Sequence, residues 1–553
     1  MTSPPHLLQD PLGGSRAAEA APAVVPAPGR ARRVARRAVL PAGEAGVAVA
    51  ASLLFAGWAR SIEVNPLDRV GQVSGLAALQ LRFLLVALVV AALSAGVVKA
   101  LPWARPAVVR LVCALLAGLA TGITAGGLVI ALRGTPWALV PTGDSLVLAQ
   151  WATDVQEGTP IPGVYPPLFV HLLARYADLT GQITPYALKD LYIISLALIG
   201  PTAYLAWRLV LPPVWALAIG GVASLPFAAP YKAYTYLPLL AVLPLLVWLT
   251  RAVRSADRGS WAASLTRGAA AGLALGLLFL LYSGWFIWPA PGAVIALALV
   301  VPWRRGPARA LALLGSAGVV FLVVAAWHLF PLLSEAGQVK DTYFYFDAIT
   351  DPAYIAMFRN DYPGADAANW PPPGELGGVG LFTVLLAVGL GSALALGARR
   401  SLVIMAVSCA ISAWVFRFAI ASDMYATQTV QLWPRTLMQI LYCLLVLCGY
   451  AVYLAVSNGR LLLRALPAPL LPPGRRVNAG IPVVGALAAL ALLFSSAASS
   501  TANTWMPKPV AGSAGDLTML SHTTTTVEGD CPAFAPGGQC EDRLPQLRAR
   551  ASR

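Results

Sequence analysis

The chain has 553 residues, 58% of them hydrophobic and only 11% charged, with a formal net charge of +15 and a mean hydropathy of +0.70. A soluble chain carries roughly 25% charged residues and at this length would split into several domains, each with its own polar surface. Too few polar residues are present for that, so lipid is the expected solvent. The excess cations do not mark a nucleic-acid binder either, because they sit between apolar runs instead of along one stripe with interleaved aromatics.

In chain order, residues 1–44 read as a disordered basic tail rich in Pro, Ala and Arg. Apolar runs then follow at 45–59, 76–98, 107–132, 188–210, 214–229, 234–249, 269–282, 286–301, 308–333, 379–396, 402–418, 437–456 and 481–497. A spanning helix needs about 20 such residues, and several of these runs are short or interrupted by Pro226, Pro238, Pro289 and Pro291. The expected fold is an all-α polytopic membrane domain over 45–498 with about thirteen transmembrane helices. A short tail, 499–553, follows it. The first run has no small-residue cleavage site after it and reads as a retained span.

Lys and Arg favour cytoplasmic loops. The leading tail carries Arg30, Arg32, Arg33, Arg36 and Arg37, and alternate loops carry Lys99 and Arg105, Arg251 to Arg267, Arg304 to Arg309, Arg399 and Arg400, and Arg460 to Arg476. The intervening loops are poor in cations. This pattern predicts a multi-pass plasma-membrane protein with a cytoplasmic N-terminus and an extracytoplasmic C-terminus. The tail then lies in an oxidising compartment, where Cys531 and Cys540 are close enough for a short disulfide loop. The other four cysteines fall inside apolar runs, and no Cys/His set has metal-ligand spacing. Several outward carboxylates leave room for a divalent cation, but no ligand spacing argues for one.

Two long segments are expected on the outer face. The first opens Val-Pro-Thr-Gly-Asp144-Ser and continues with a stretch of helical period over 146–155, read as an interfacial helix. Asp144 suits both a helix cap and a general base. Tyr165-Pro166-Pro167 then fixes an extended approach to a second helix with Pro in its first turn. His171 and Arg175 share one face of that helix; either both sit in the headgroup layer or one holds a donor phosphate. The second segment, 334–376, contains Asp341, Tyr343, Tyr345 and Asp347, which suit a sugar-binding groove and equally an ordinary aromatic loop. A third cluster contains Arg417, Asp423, Trp433 and Arg435. Its cations, placed against the positive-inside trend at the flanks of an outer loop, need either Asp423 or a lipid phosphate as partner. Lys232, between Pro230 and Tyr234, poses the same question. Motifs for serine hydrolases, P-loop enzymes, zinc proteases and dinucleotide binders are missing.

The Gly143-Asp144 loop after the third run, the Tyr165-Pro166-Pro167 turn, Leu179-Thr180-Gly181, Ala229–Ala233, Tyr282–Trp285 and Gln431–Arg435 together resemble the actinobacterial galactan arabinofuranosyltransferase (AftA) family of C-type membrane glycosyltransferases. The resemblance extends loosely over 45–500. It implies a decaprenyl-phosphate arabinofuranose donor and inverting transfer of arabinofuranose to a cell-wall galactan or related glycan. Carried over by position, Asp144 is the general base. From charge and side, Lys232, Arg417, Arg435 and Arg175 are candidates for the donor phosphate, and Tyr165, His171, Asp341, Tyr343, Tyr345, Asp347 and Trp433 for the substrate groove. Family members generally continue into a sizeable outer domain, whereas only 499–553 follows here. The competing readings are a transporter or flippase of lipid-linked sugar, a transferase of another polyprenyl-phosphate sugar, and a non-catalytic scaffold on the same fold.

Overall fold

The computed structural model describes residues 30–136, 143–335, 381–428, 433–465 and 480–543. The described residues fall into two units, Arg30–Ala42 and those from Gly43 onward. In chain order the helices are α1 (Arg30–Trp58), α2 (Arg69–Ala100), α3 (Arg105–Ala131), α4 (Gly143–Gln156), α5 (Pro167–Thr180), α6 (Thr184–Arg208), α7 (Pro213–Ser224) and α8 (Tyr236–Arg254). They continue with α9 (Trp261–Leu281), α10 (Ala290–Val300), α11 (Ala308–Glu335), α12 (Leu381–Gly397), α13 (Ser401–Thr427), α14 (Trp433–Ala465), α15 (Gly480–Thr504) and α16 (Ala514–Thr523). Among the described residues, β structure is limited to an isolated bridge between Thr524 and Glu541.

Among the described residues, ten helices are long and apolar enough to cross a membrane, and each falls on one of the thirteen apolar runs. The other three runs form α7, α10 and α12, which are shorter. For α7 and α10, contacts near both of their ends link opposite ends of the bundle. α6 leaves Thr153 of α4, which meets Thr184 at 2.9 Å, and ends at Arg208, beside Glu44 of α1. α7 then returns the chain to Lys232, which touches Asp144. α10 leads from Trp285, whose indole donates to the Thr235 carbonyl, to Val300, packed with Val253 and Ala256. α12 ends where Arg254 donates to the Arg399 carbonyl. The prolines and irregular turns around 225–235 and 282–289 take up the length that α7 and α10 lack.

Side chains that face outward are apolar over long stretches. On α2, Leu81, Leu85, Leu88, Val89 and Leu93 are exposed, and on α11 Val319, Val323, Trp327, Phe330 and Leu333. In water such a surface would be an aggregation liability; in hydrocarbon it costs nothing. Some polar side chains point inward and pair there. Trp207 donates to Tyr442, whose hydroxyl donates to the Leu240 carbonyl.

Small residues set the helix spacing. Gly268, Gly272 and Gly276 recur every fourth residue along α9, and a Cβ on the first two would lie 2.2 and 2.3 Å from the carbonyl oxygens of Leu313 and Ala317 in α11. Gly200 of α6 lies as close to α3: its amide donates to Thr121 Oγ1 at 3.1 Å, and Thr121 donates to the Ala197 carbonyl at 2.7 Å. Such backbone approach replaces the hydrophobic drive that lipid removes.

Candidate active site

α4 and α5 lie at one end of the bundle. They do not rest on its surface: Leu148, Ala149, Ala152, Phe169, Val170, Leu173 and Ala174 are buried in the same core as the long helices. The two interfacial helices expected from sequence are thus built into the domain at this end. α5 begins at Pro167 and stops at Gly181, whose φ of +66° makes it a left-handed cap.

Asp144 projects from the first turn of α4, with its side chain 58% exposed. Its Oδ2 accepts a hydrogen bond from Lys232 Nζ at 2.5 Å, across 88 residues of sequence. Lys232 is held by a left-handed backbone (φ +54°, ψ +36°) just before the turn Ala233–Thr235. That conformation costs a non-glycine residue about 1 kcal/mol or more and persists only where the surroundings impose it. Burial pushes the Lys232 ammonium below the usual lysine range; the Asp144 carboxylate pulls it back up and Arg435 pushes it down again.

Beneath this pair lies a floor of aromatic rings. Tyr165 and Tyr234 share a hydroxyl–hydroxyl hydrogen bond of 2.5 Å, and Tyr234 stacks on Phe169 with centroids 3.5 Å apart. Tyr192 hydrogen-bonds Ser145, the neighbour of Asp144, at 3.1 Å. Trp151 packs on Tyr165, and Tyr282 meets Tyr234 edge to face. Arg435, in the first turn of α14, lies over the Tyr282 ring at 5.8 Å. Burial raises the Tyr165 hydroxyl above its usual range, so it stays neutral. His328 of α11 braces the approach to Tyr165: its ring nitrogens meet the Gly163 carbonyl and Ser283 Oγ, each at 3.1 Å.

Of the residues singled out in the sequence, Asp144, Lys232, Tyr165 and Arg435 come together here. Others do not join them. Arg175 is 83% exposed and pairs with Asp178 one turn along α5 at 3.6 Å. His171 packs against Trp327, and burial with Arg175 lowers its affinity for a proton. Arg417 does not flank a loop as expected; it is 1% exposed inside α13 and donates to Thr436 Oγ1 at 3.1 Å, one residue from Arg435. Helix α13 runs nine residues further than the apolar run that suggested a loop, which draws Arg417 into the bundle. Asp423 is exposed and forms no ion pair with either arginine among the described residues. Asp341, Tyr343, Tyr345 and Asp347 lie outside the described residues, and Trp433 is described only as the first residue of α14.

Ser145, Tyr192, Tyr234, Tyr282 and His328 were not picked out as site residues. Tyr234 borders the Ala229–Ala233 segment and Tyr282 opens the Tyr282–Trp285 segment, so those motifs were the available signal. Tyr192 and His328 lie inside apolar helices, where sequence does not say which polar groups meet.

The tail from Trp505 onward folds onto the same end. Ala533 N–H donates to the Gly134 carbonyl at 3.1 Å, His522 Nε2 meets the Ala131 carbonyl at 2.9 Å, and Tyr186 bonds Glu528. A Cys531–Cys540 disulfide closes the tip. Among the described residues, no group of three His, Cys, Asp or Glu side chains is arranged to hold a metal.

A half-exposed carboxylate beside two cations, above an aromatic floor, can accept a proton from a hydroxyl, hold an anionic leaving group and stack a sugar. Compared with known proteins, the chain matches no protein-family profile and no curated protein sequence.

Proposed function

We propose that this protein is a C-type membrane glycosyltransferase that moves arabinofuranose from decaprenyl-phosphate arabinofuranose to a cell-wall galactan or related glycan. Thirteen crossings, a cytoplasmic N-terminus and an outer active site complete the reading. Two supports carry the proposal. One is the set of sequence motifs that resemble the galactan arabinofuranosyltransferases. The other, and the single structural observation behind it, is the Asp144–Lys232 contact at 2.5 Å, with Arg435 at the same end.

In this reading Asp144 Oδ2 takes the proton from the acceptor hydroxyl as that oxygen attacks the anomeric carbon from the face opposite the phosphate. The bond from the anomeric carbon to the phosphate oxygen breaks, its electron pair leaves on the polyprenyl phosphate, and the configuration inverts. Lys232 has two partners in turn. Without donor it neutralises Asp144; with donor it turns to the phosphate, beside Arg435, and leaves the carboxylate free to act as base. The tyrosine floor offers ring faces and neutral hydroxyls to the sugar.

The test is incubation of the purified protein with lipid-phosphate arabinose and short galactan acceptors, followed by determination of the product linkage. A product carrying one new arabinofuranosyl linkage of inverted configuration is expected. Intact donor after prolonged incubation, with every acceptor tried, overturns the proposal. One observation favours transport instead: the charge of Arg417 buried inside an apolar helix, a placement common along substrate pathways. Flux of lipid-linked sugar in proteoliposomes without any glycosidic product is the outcome that would select that reading.

A further inference from the structure

At the end of the bundle opposite Asp144, three arginines converge on a cavity of about 290 Å³. Arg251 and Arg254 come from the last turn of α8, and Arg400 from the residue that precedes α13. Tyr450, Tyr453, Ser457 and Asn458 of α14 close the other side. α8 has 19 residues, so this cavity lies about 28 Å from Lys232 along the helix axis. It belongs to no part of the candidate active site.

The charge is unbalanced. Among the described residues no carboxylate lines the cavity, and none of the three guanidinium groups forms an ion pair. Two of them are positioned by the fold: Arg251 donates to the Val210 carbonyl at 2.6 Å and Arg254 to the Arg399 carbonyl at 2.7 Å. Each such bond leaves further N–H groups on the same fork. Three converging guanidinium groups with hydroxyl and amide side chains match the oxygens of a phosphate.

The surroundings decide the source of that phosphate. Val452 and Val456, each one residue before a cavity residue on α14, are exposed apolar side chains, as are Leu394 and Leu396 near the end of α12. A soluble phosphate gains nothing from them, whereas a lipid acyl chain does. Basic cavities between helices at the membrane boundary are suited to anionic headgroups.

We propose that Arg251, Arg254 and Arg400 form a binding site for the phosphate headgroup of an anionic phospholipid, with its acyl chains against α12 and α14. The site is independent of the transferase reading. The test uses the full chain in neutral detergent, titrated with phosphatidylglycerol, phosphatidylcholine or inorganic phosphate, and followed by native mass spectrometry and thermal unfolding. Phosphatidylglycerol is expected to bind with defined stoichiometry and raise the unfolding temperature. Arg400→Gln is expected to weaken it about fivefold, as one lost cation implies, with Arg400→Lys weakened less. Arg400 is chosen because its side chain makes no hydrogen bond among the described residues. Equal retention of phosphatidylcholine, or equal binding by Arg400→Gln and the unaltered chain, overturns the site. Stabilisation by inorganic phosphate at concentrations as low as the lipid's overturns the lipid assignment. A second measurement needs no variant: phosphatidylglycerol, unlike phosphatidylcholine, should protect Arg251, Arg254 and Arg400 from phenylglyoxal in the unaltered chain, and absence of protection counts against the proposal.

Discussion

Asp144 and Lys232 make opposite demands on the same contact, and separate substitutions can resolve them. Asp144→Asn removes the proposed base while keeping the side chain's size and its ability to accept from Lys232. Transfer is expected to fall by about 10²- to 10⁴-fold with donor binding retained, measured as radiolabelled arabinose incorporated into acceptor. Unchanged transfer removes Asp144 from the reaction. Lys232 acts on binding. Because burial and Arg435 favour its neutral form, its charge is lost below the ordinary lysine range as pH rises, despite the opposing pull of Asp144. If the proposed transfer holds, the KM for the lipid donor is expected to climb on the alkaline side in the unaltered chain. In Lys232→Arg, whose guanidinium stays charged, that limb should vanish. A KM–pH profile identical in the two proteins refutes the phosphate role. Both residues were legible in the sequence, Asp144 from its loop and Lys232 as a lone cation at an apolar helix end. Arg417 was legible as a cation but not in its placement, because apolar residues alone did not reveal that α13 continues past Phe418.

Between elements, close helix approach and buried charge govern stability. A Cβ on Gly200 would sit 2.2 Å from the Ala117 carbonyl oxygen, whereas one on Gly96 of α2 meets nothing within 4 Å. Gly200→Ala is expected to cost about 1–3 kcal/mol by forcing α3 and α6 apart. Gly96→Ala should be neutral or stabilising by up to about 1 kcal/mol through helix propensity. Thermal unfolding of both variants in detergent checks the pair, and equal midpoints would mean that the α3–α6 contact yields freely. Glu44 makes a related case. It is 3% exposed, 2.5 Å from Arg110 and 3.4 Å from Arg208, and it links α1, α3 and α6 at the end opposite Asp144. Glu44→Gln leaves two partly buried guanidinium groups without a counter-charge and is expected to cost about 3 kcal/mol. An unfolding midpoint equal to that of the unaltered chain contradicts the linking role. The apolar runs identified every long helix, since a twenty-residue stretch is a strong signal. They could not reveal which helices touch. The Gly268-xxx-Gly272-xxx-Gly276 spacing was not singled out in the sequence, and its partner, α11, is a matter of three-dimensional arrangement.

Across the whole molecule, the two ends differ in chemistry. The Asp144 end holds the folded tail, whose Cys531–Cys540 disulfide implies an oxidising surrounding, while the opposite end gathers Arg208, Arg251, Arg254, Arg309 and Arg400. These two asymmetries are independent, and both agree with the proposed outer placement of the Asp144 end. Thr159, exposed between α4 and α5, and Ala308, exposed at the start of α11, mark the two ends. In intact cells a membrane-impermeant maleimide is expected to label Thr159→Cys but to reach Ala308→Cys only after lysis, with the unaltered chain as background for its four free cysteines. The result bears directly on the short helices. Between α4 and α11 the chain passes through α6, α7, α8, α9 and α10; an odd number of crossings places the two markers on opposite sides. If α7 or α10 alone fails to cross, the number becomes even and both positions label from the same side. Opposite labelling with Thr159→Cys inside would keep the crossing count while moving Asp144 to the cytoplasm, away from any cell-wall acceptor.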